Sequence, residues 1–437
     1  MLDNQLLVKE LLEAERLEEA LPLIIEMMEE NVNDPVALNF RGYAHLLLED
    51  EATAYQFLKR SVDLSPNCGN LTNLGKVIDE MGKHSEAIPY FLKAAECQPD
   101  HAMPYANASA TLVQMSRWDD AQAMAEMALE CDPSNINAMV NLGHAQLAKG
   151  QWVDGFRNFE LGLGGKFRRE WTYDDKGRWA GEPGTVVIYG EQGLGDEIFY
   201  AQAITDATAR ANVVVDCDPK LQNLFRRSFP LAQVYGTRRE EHPDWLNQVK
   251  PDYRCAAGSL FHLFRADDAD FARHPYLVAD PERRRMWRAL FDSYQKPVIG
   301  IALKSGTKKN NAAGREIDIG EFYPLMSAID AVYVSLEYKD DDPEELKSFP
   351  FATRSNDYDD TAALISELDA VVGICTTALH CADALGVPTW TLVPNKHNFR
   401  FSEAFPRMKN QKFVMQNGRS WKDVIAGIVE EVKHGIA

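Results

Sequence analysis

Apolar residues in the first 170 positions recur with helical spacing, and that pattern itself repeats with a period near 34. Small residues fall at Ala20, Ala54, Ala87, Ala121 and Gly155, and a second series runs Gly42, Gly75, Ser109 and Gly143. Prolines that end helices stand at Pro66, Pro99 and Pro133. Spacing of i, i+3 and i+4 predicts amphipathic helices. Small residues at fixed places predict helix pairs packed too closely for a large side chain. About five such hairpins are expected over residues 1–168. None can bury its apolar stripe alone, so neighbours stack into an all-α superhelix with a concave face. Trp118 and Trp152 hold equivalent places, as do Cys97 and Cys131, and all four read as packing residues.

Residues 169–183 break the rhythm and read as a polar connector punctuated by Trp171, Tyr173 and Trp179. After it, short β-branched runs alternate with helical stretches, the pattern of parallel βα units. In residues 184–282 strands are predicted at Thr185–Tyr189, Asn212–Asp216 and Gln233–Tyr235, with helices at Asp196–Arg210 and Pro219–Ser228. A helix at Pro281–Tyr294 joins this half to the next. In residues 283–437 strands are predicted at Pro297–Leu303, Ala331–Glu337, Ala370–Ile374 and Thr389–Val393, and helices at Asp360–Leu368, Thr377–Leu385 and Trp421–Val432. The expected fold is therefore a helical superhelix followed by two Rossmann-like α/β halves with a cleft between them.

Composition narrows the function classes. A net charge of −20 argues against nucleic-acid binding, which needs clustered Lys and Arg. The sequence has no apolar run long enough to span a membrane and no signal-peptide pattern, and the seven cysteines lack CxxC spacing. A cytoplasmic protein with free thiols is expected.

Two segments carry the candidate chemistry. Val186-Val187-Ile188-Tyr189 feeds Gly190-Glu191-Gln192-Gly193-Leu194-Gly195-Asp196-Glu197, a strand entering a glycine-rich turn and a helix start. Ala370–Ile374 feeds Cys375-Thr376-Thr377-Ala378-Leu379-His380 in the same way. Helix N-termini present unpaired N–H groups to anions. Thr376 and Thr377, with the N–H groups of Ala378 and Leu379, would bind a diphosphate; plain capping by Thr376 is the alternative. Lys304, Lys308 and Arg315 follow a predicted strand and could neutralise a leaving group, or form a solvated run. Glu337 ends a strand and could accept from a ribose hydroxyl. No Asp-x-Asp or His/Cys cluster is placed to hold a metal.

The repeats resemble the tetratricopeptide repeat. Three further segments resemble the bacterial tetratricopeptide-repeat glycosyltransferases, relatives of the heptosyltransferases and of O-GlcNAc transferase-like proteins. They are Trp179-Ala180-Gly181-Glu182-Pro183 with the glycine-rich loop, Asp360–Asp369, and Thr376–Trp390. The resemblance implies a GT-B fold and metal-independent transfer of a sugar from a nucleotide-sugar co-substrate, with no resident cofactor. The acceptor would be a protein, peptide or glycan, and the repeats would recruit it or join copies of the chain. It assigns Asp196 as general base, with Glu191 and Glu197 in reserve and Gly193 and Gly195 keeping the acceptor loop open. It assigns His380 to phosphate or sugar. The chain departs from the family at Cys375, where an Asp is usual, and at Asp383, where a Gly is usual. A catalytically degenerate scaffold is the competing expectation.

Overall fold

The structure is a computed structural model and describes residues 2–165, 168–238, 240, 242–304, 316–338 and 342–436. Its contacts divide the chain into two compact units, Met1–Gln146 and Leu147–Ala437.

The first unit is a run of helices: Leu2–Glu13, Leu17–Glu30, Pro35–Leu47, Glu51–Leu64, Cys68–Glu80, His84–Cys97, Ala102–Gln114 and Trp118–Cys131. The small-residue series explains the pairing. A Cβ on Gly42 would sit 2.5 Å from Leu58 Cγ, and one on Gly75 would sit 2.7 Å from Phe91 Cε1. Ser109 holds the equivalent place with a hydroxyl that donates to the Ala121 carbonyl at 2.8 Å. Ala20, Ala54, Ala87 and Ala121 are all fully buried. Some helix starts carry side-chain caps, as where Asp50 accepts from Thr53 N at 3.1 Å and Asn67 and Asn70 cap each other, while those at Leu17, His84, Ala102 and Trp118 have none. Gly75→Ala forces the Phe91 ring aside, so it is expected to cost about 1–3 kcal/mol of unfolding free energy in a denaturant titration. A neutral result would mean the helices slide apart freely. Cys97 is exposed and does not pack as expected.

The division at 146/147 does not coincide with the expected end of the array at 168. It falls inside the helix Ile136–Ala148, and the next helix, Trp152–Glu160, lies in the second unit. There Trp152 Nε1 donates to Asp268 at 2.7 Å, and its ring meets Phe271 and Phe405 at 5.0 and 5.4 Å. Phe156 meets Phe261 at 5.6 Å, and Phe159 meets Phe399 at 5.6 Å.

The second unit holds two five-stranded sheets in which every paired strand is parallel. The first contains β1 (Gly177–Arg178), β2 (Thr185–Tyr189), β3 (Asn212–Asp216), β4 (Gln233–Tyr235) and β5 (Tyr253–Ala256), in the order β1-β5-β2-β3-β4. The second contains β6 (Val298–Ala302), β7 (Val332–Ser335), β8 (Ala370–Ile374), β9 (Thr389–Val393) and β10 (Gln411–Met415), in the order β10-β9-β8-β6-β7. β6, β8 and β9 are buried at every position, the mark of a sheet covered on both faces. Three strands lie outside the expected set: β1, inside the expected connector, β5 and β10. The helix expected at Asp196–Arg210 is broken into Leu194–Tyr200, a 3₁₀ turn and Ile204–Thr208. No helix among the described residues is long and apolar enough to cross a membrane.

Candidate functional site

β2 delivers the glycine-rich loop and the helix Leu194–Tyr200, while β8 delivers Thr376 and the helix Thr377–Leu385. The two helices touch at their N-termini. A Cβ on Gly195 would lie 3.0 Å from Thr377 Oγ1 and 3.5 Å from His380 Cδ2. Gly195 therefore does more than keep a loop open: its missing side chain lets the loops of the two sheets meet. Gly193 is exposed, and its N–H donates to Asp196 Oδ2 at 2.9 Å.

Asp196 is thus half helix cap. Its other oxygen, Oδ1, lies 2.5 Å from Arg400 Nη2. Burial pushes the Asp196 carboxyl up, but Arg400, with help from the Gly193 N–H, outweighs it and holds the group below its usual value. Arg400 is not singled out by the sequence. It sits between Phe399 and Phe401 in a turn after β9, a cation in an otherwise aromatic segment, and that is its only signal. Its guanidinium lies 5.0 Å over the Phe199 ring, and its Nε and Nη1 are buried without a hydrogen-bond partner. The His380 ring lies 5.5 Å from Phe199 and 5.4 Å from Phe401.

Thr376 occupies the N-cap position but makes no side-chain cap, and its Oγ1 is buried without a hydrogen-bond partner. Ala378 and Leu379 are buried beneath the turn. Gly195, Asp196, Thr377, His380 and Arg400 therefore gather at one place. Phe199, Tyr276, His380, Asp383, Arg400 and Gln411 help line a cavity of only about 30 Å³ behind it. That space suits one or two waters and not a nucleotide.

Other expected residues lie apart. The Glu191 side chain is almost fully buried, accepts from Gly258 N at 3.1 Å and pairs with Arg168 Nη2 at 3.3 Å. Burial raises its carboxyl. It braces the loop from below and does not face an acceptor. Lys304 leaves β6, the neighbour of β8, and its Nζ lies 3.2 Å from Glu316 Oε1. Glu337 is buried, and its Oε1 accepts from Leu303 N at 2.6 Å and Lys304 N at 3.1 Å, stapling the end of β6. Lys308 and Arg315 lie outside the described residues.

Asp383 turns into the interior, where Thr389 Oγ1 and Gln411 Nε2 donate to its two oxygens. Burial raises its carboxyl from 3.8 to about 8. A group raised this way favours the fold while both states are protonated, and that contribution drains away as pH rises from about 4 to about 8. Asp383→Asn stays neutral throughout. The melting temperature of the variant is therefore expected to gain on that of the parent between pH 5 and 8; parallel curves would refute a buried, protonated Asp383.

Comparison with known proteins gives three results. The tetratricopeptide-repeat family matches residues 70–101. Protein FlbA of Caulobacter vibrioides is 25% identical over 379 residues, which cover 79% of this chain and 63% of FlbA; the chain thus spans less than two thirds of that relative. Solved structures of repeat proteins align to about a third of the chain. YrrB, described as a TPR protein with an unusual peptide-binding site, is 19% identical, covering 35% of this chain and 80% of YrrB, with a TM-score of 0.30. TTC0263, a thermophilic TPR protein of Thermus thermophilus, is 19% identical, covering 36% and 87%, with a TM-score of 0.33. MamA of Desulfovibrio magneticus RS-1 is 21% identical, covering 36% and 88%, with a TM-score of 0.30.

Proposed function

We propose that this chain transfers a sugar from a nucleotide-sugar donor to an acceptor recruited by its repeats, on a GT-B-like pair of α/β halves. One observation supports the reading: Gly195, next to the acid of the β2 loop, packs against Thr377 and His380 at the start of the helix after β8, which brings a candidate base and a candidate anion site from two parallel sheets together. Ligands of open α/β sheets bind at the carboxyl ends of strands, where these loops lie.

In this mechanism an acceptor hydroxyl attacks the anomeric carbon and its proton passes to Asp196. The bond from that carbon to the diphosphate breaks, and its electron pair leaves on the diphosphate oxygen. N–H groups of Thr377, Ala378 and Leu379, with Thr376 Oγ1 and His380, stabilise that charge. Lys304 stands at the adjacent strand end as a further cation. The 34-residue repeats suit peptide segments, which favours a protein acceptor.

A second reading is a scaffold that binds nucleotide-sugars or nothing at all. The tie between Asp196 and Arg400 favours it, as do Cys375 and Asp383. Thermal melting against a panel of nucleotide-sugars separates the enzyme from a scaffold that binds nothing, and product analysis with the stabilising donor separates it from a scaffold that only binds. A ligand at a hundred times its Kd adds about 2.7 kcal/mol, and that gain should vanish in Thr376→Ala and His380→Ala. No stabilisation by any donor would leave the scaffold.

A further inference from the structure

Arg400 is an expensive residue to leave as it stands. Its side chain is 11% exposed, yet only Nη2 has a partner, Asp196. A buried donor without a hydrogen bond has given up water and gained nothing in return. Nε and Nη2 form the edge of the planar fork that grips two oxygens of a phosphate, and Asp196 holds only the Nη2 end of it. Thr376 Oγ1 is buried and unsatisfied as well, and it declines to cap its own helix. Arg400 holds Asp196, and the adjacent Gly195 packs against Thr377 and His380, so both unsatisfied residues flank the same meeting of loops. An anion with several oxygens would satisfy them together. The cavity of about 30 Å³ beside Arg400 holds no more than a water or two.

We propose that Arg400 is a donor-sensing latch: in the empty site it holds Asp196 and closes the two loops on each other, and a nucleoside diphosphate group draws it away and releases Asp196 to accept the proton. The inference rests on the donor reading above and adds its regulation. The latch makes the base available only when a leaving group is in place. While Arg400 is attached, Asp196 is a weak base; once the guanidinium turns to phosphate, the strongest influence holding the carboxyl down is gone and burial makes it a stronger base. Arg400 is a positioning residue for Asp196 and a ligand for the donor.

The test is calorimetric titration of the full chain with UDP, GDP, ADP and CDP, using the parent, Asp196→Asn, Arg400→Gln and the double variant. A latch that keeps the receptive state near a tenth of the population weakens binding about tenfold. Asp196→Asn frees Arg400, so it should tighten one nucleotide about tenfold, whereas Arg400→Gln should weaken it by a similar factor. In the Arg400→Gln background the Asp196→Asn gain should disappear. An equal gain in that background would reduce the effect to loss of a negative charge and sink the latch. So would a nucleotide that binds all four proteins alike, which would leave the donor reading standing. If neither the parent nor Asp196→Asn binds any of the four, the donor reading falls and the latch with it. Should Arg400→Gln fail to fold, Arg400→Lys keeps the charge and loses the fork, and it should still show the weakened binding.

Discussion

Asp196→Asn should lower sugar transfer by about 10²–10⁴-fold, the contribution of a positioned general base. The substitution removes the proton acceptor and keeps the shape. Asparagine can still accept from Gly193 N, so the helix start at Leu194 is retained. The loss should fall on kcat, with nucleotide affinity unchanged or improved, because the side chain that competes for Arg400 has lost its charge. That split matters: a merely structural role would lower binding and turnover together. Single-turnover rates with saturating donor give the answer, and a variant within threefold of the parent would remove Asp196 from the chemistry.

Arg168→Met should destabilise the second unit by about 3–5 kcal/mol, the usual result of breaking a buried charge pair from one side. Arg168 is 2% exposed. It lies 3.3 Å from both Glu191 Oε1 and Glu160 Oε2, donates to the Phe159 carbonyl at 3.0 Å and to Ser259 Oγ at 3.1 Å, and stacks over the Phe159 ring at 4.4 Å. Methionine fills much of the volume but leaves the buried Glu191 carboxyl without a cation, with only backbone N–H groups, its own and that of Gly258, to answer its charge. Because Glu191 then relieves itself by taking a proton, the deficit should shrink as pH falls. Adding Glu191→Gln to Arg168→Met should restore part of the loss. Denaturant melts at pH 7 and pH 5 measure both effects, and a deficit under 1 kcal/mol at pH 7 would mean that Arg168 is not the brace described. Since Glu191 belongs to the glycine-rich loop, the variant also tests whether that loop is held from below.

The elements read most directly are those whose side chains enforce one conformation. β2, β3, β8 and β9 are β-branched runs closed by turn residues, and their observed limits match the expected ones. β5 escapes because Tyr253-Arg254-Cys255-Ala256 has no such run; its pairing with β2 makes it a strand. β1 is two residues long and is a strand only through its pairing with β5 far along the chain, and β10 is an edge strand defined by its ladder with β9. At the site, Asp196, Thr376 and His380 stand out because each sits at a strand-to-helix turn. Glu191 looks equally available from its place in that turn, but which side of a loop faces inward is decided by packing against Arg168 and Gly258. Arg400 carries no local signal of its role. Its meaning comes from a carboxylate 204 positions earlier in the chain, a pairing that periodicity cannot register.

The helix Trp152–Glu160 bears on how such a protein could be cut and recombined. Its sequence keeps the beat of the repeats, so a splice designed by eye would fall after it. Its aromatic side chains, however, fill the interior of the following unit through Phe261, Phe271, Phe399 and Phe405. A graft that moved the array with this helix attached would leave a hole lined by phenylalanine in the donor protein and carry a sticky aromatic stub to the recipient. The workable seam lies at or before Leu147, inside the apparent rhythm and not at its end.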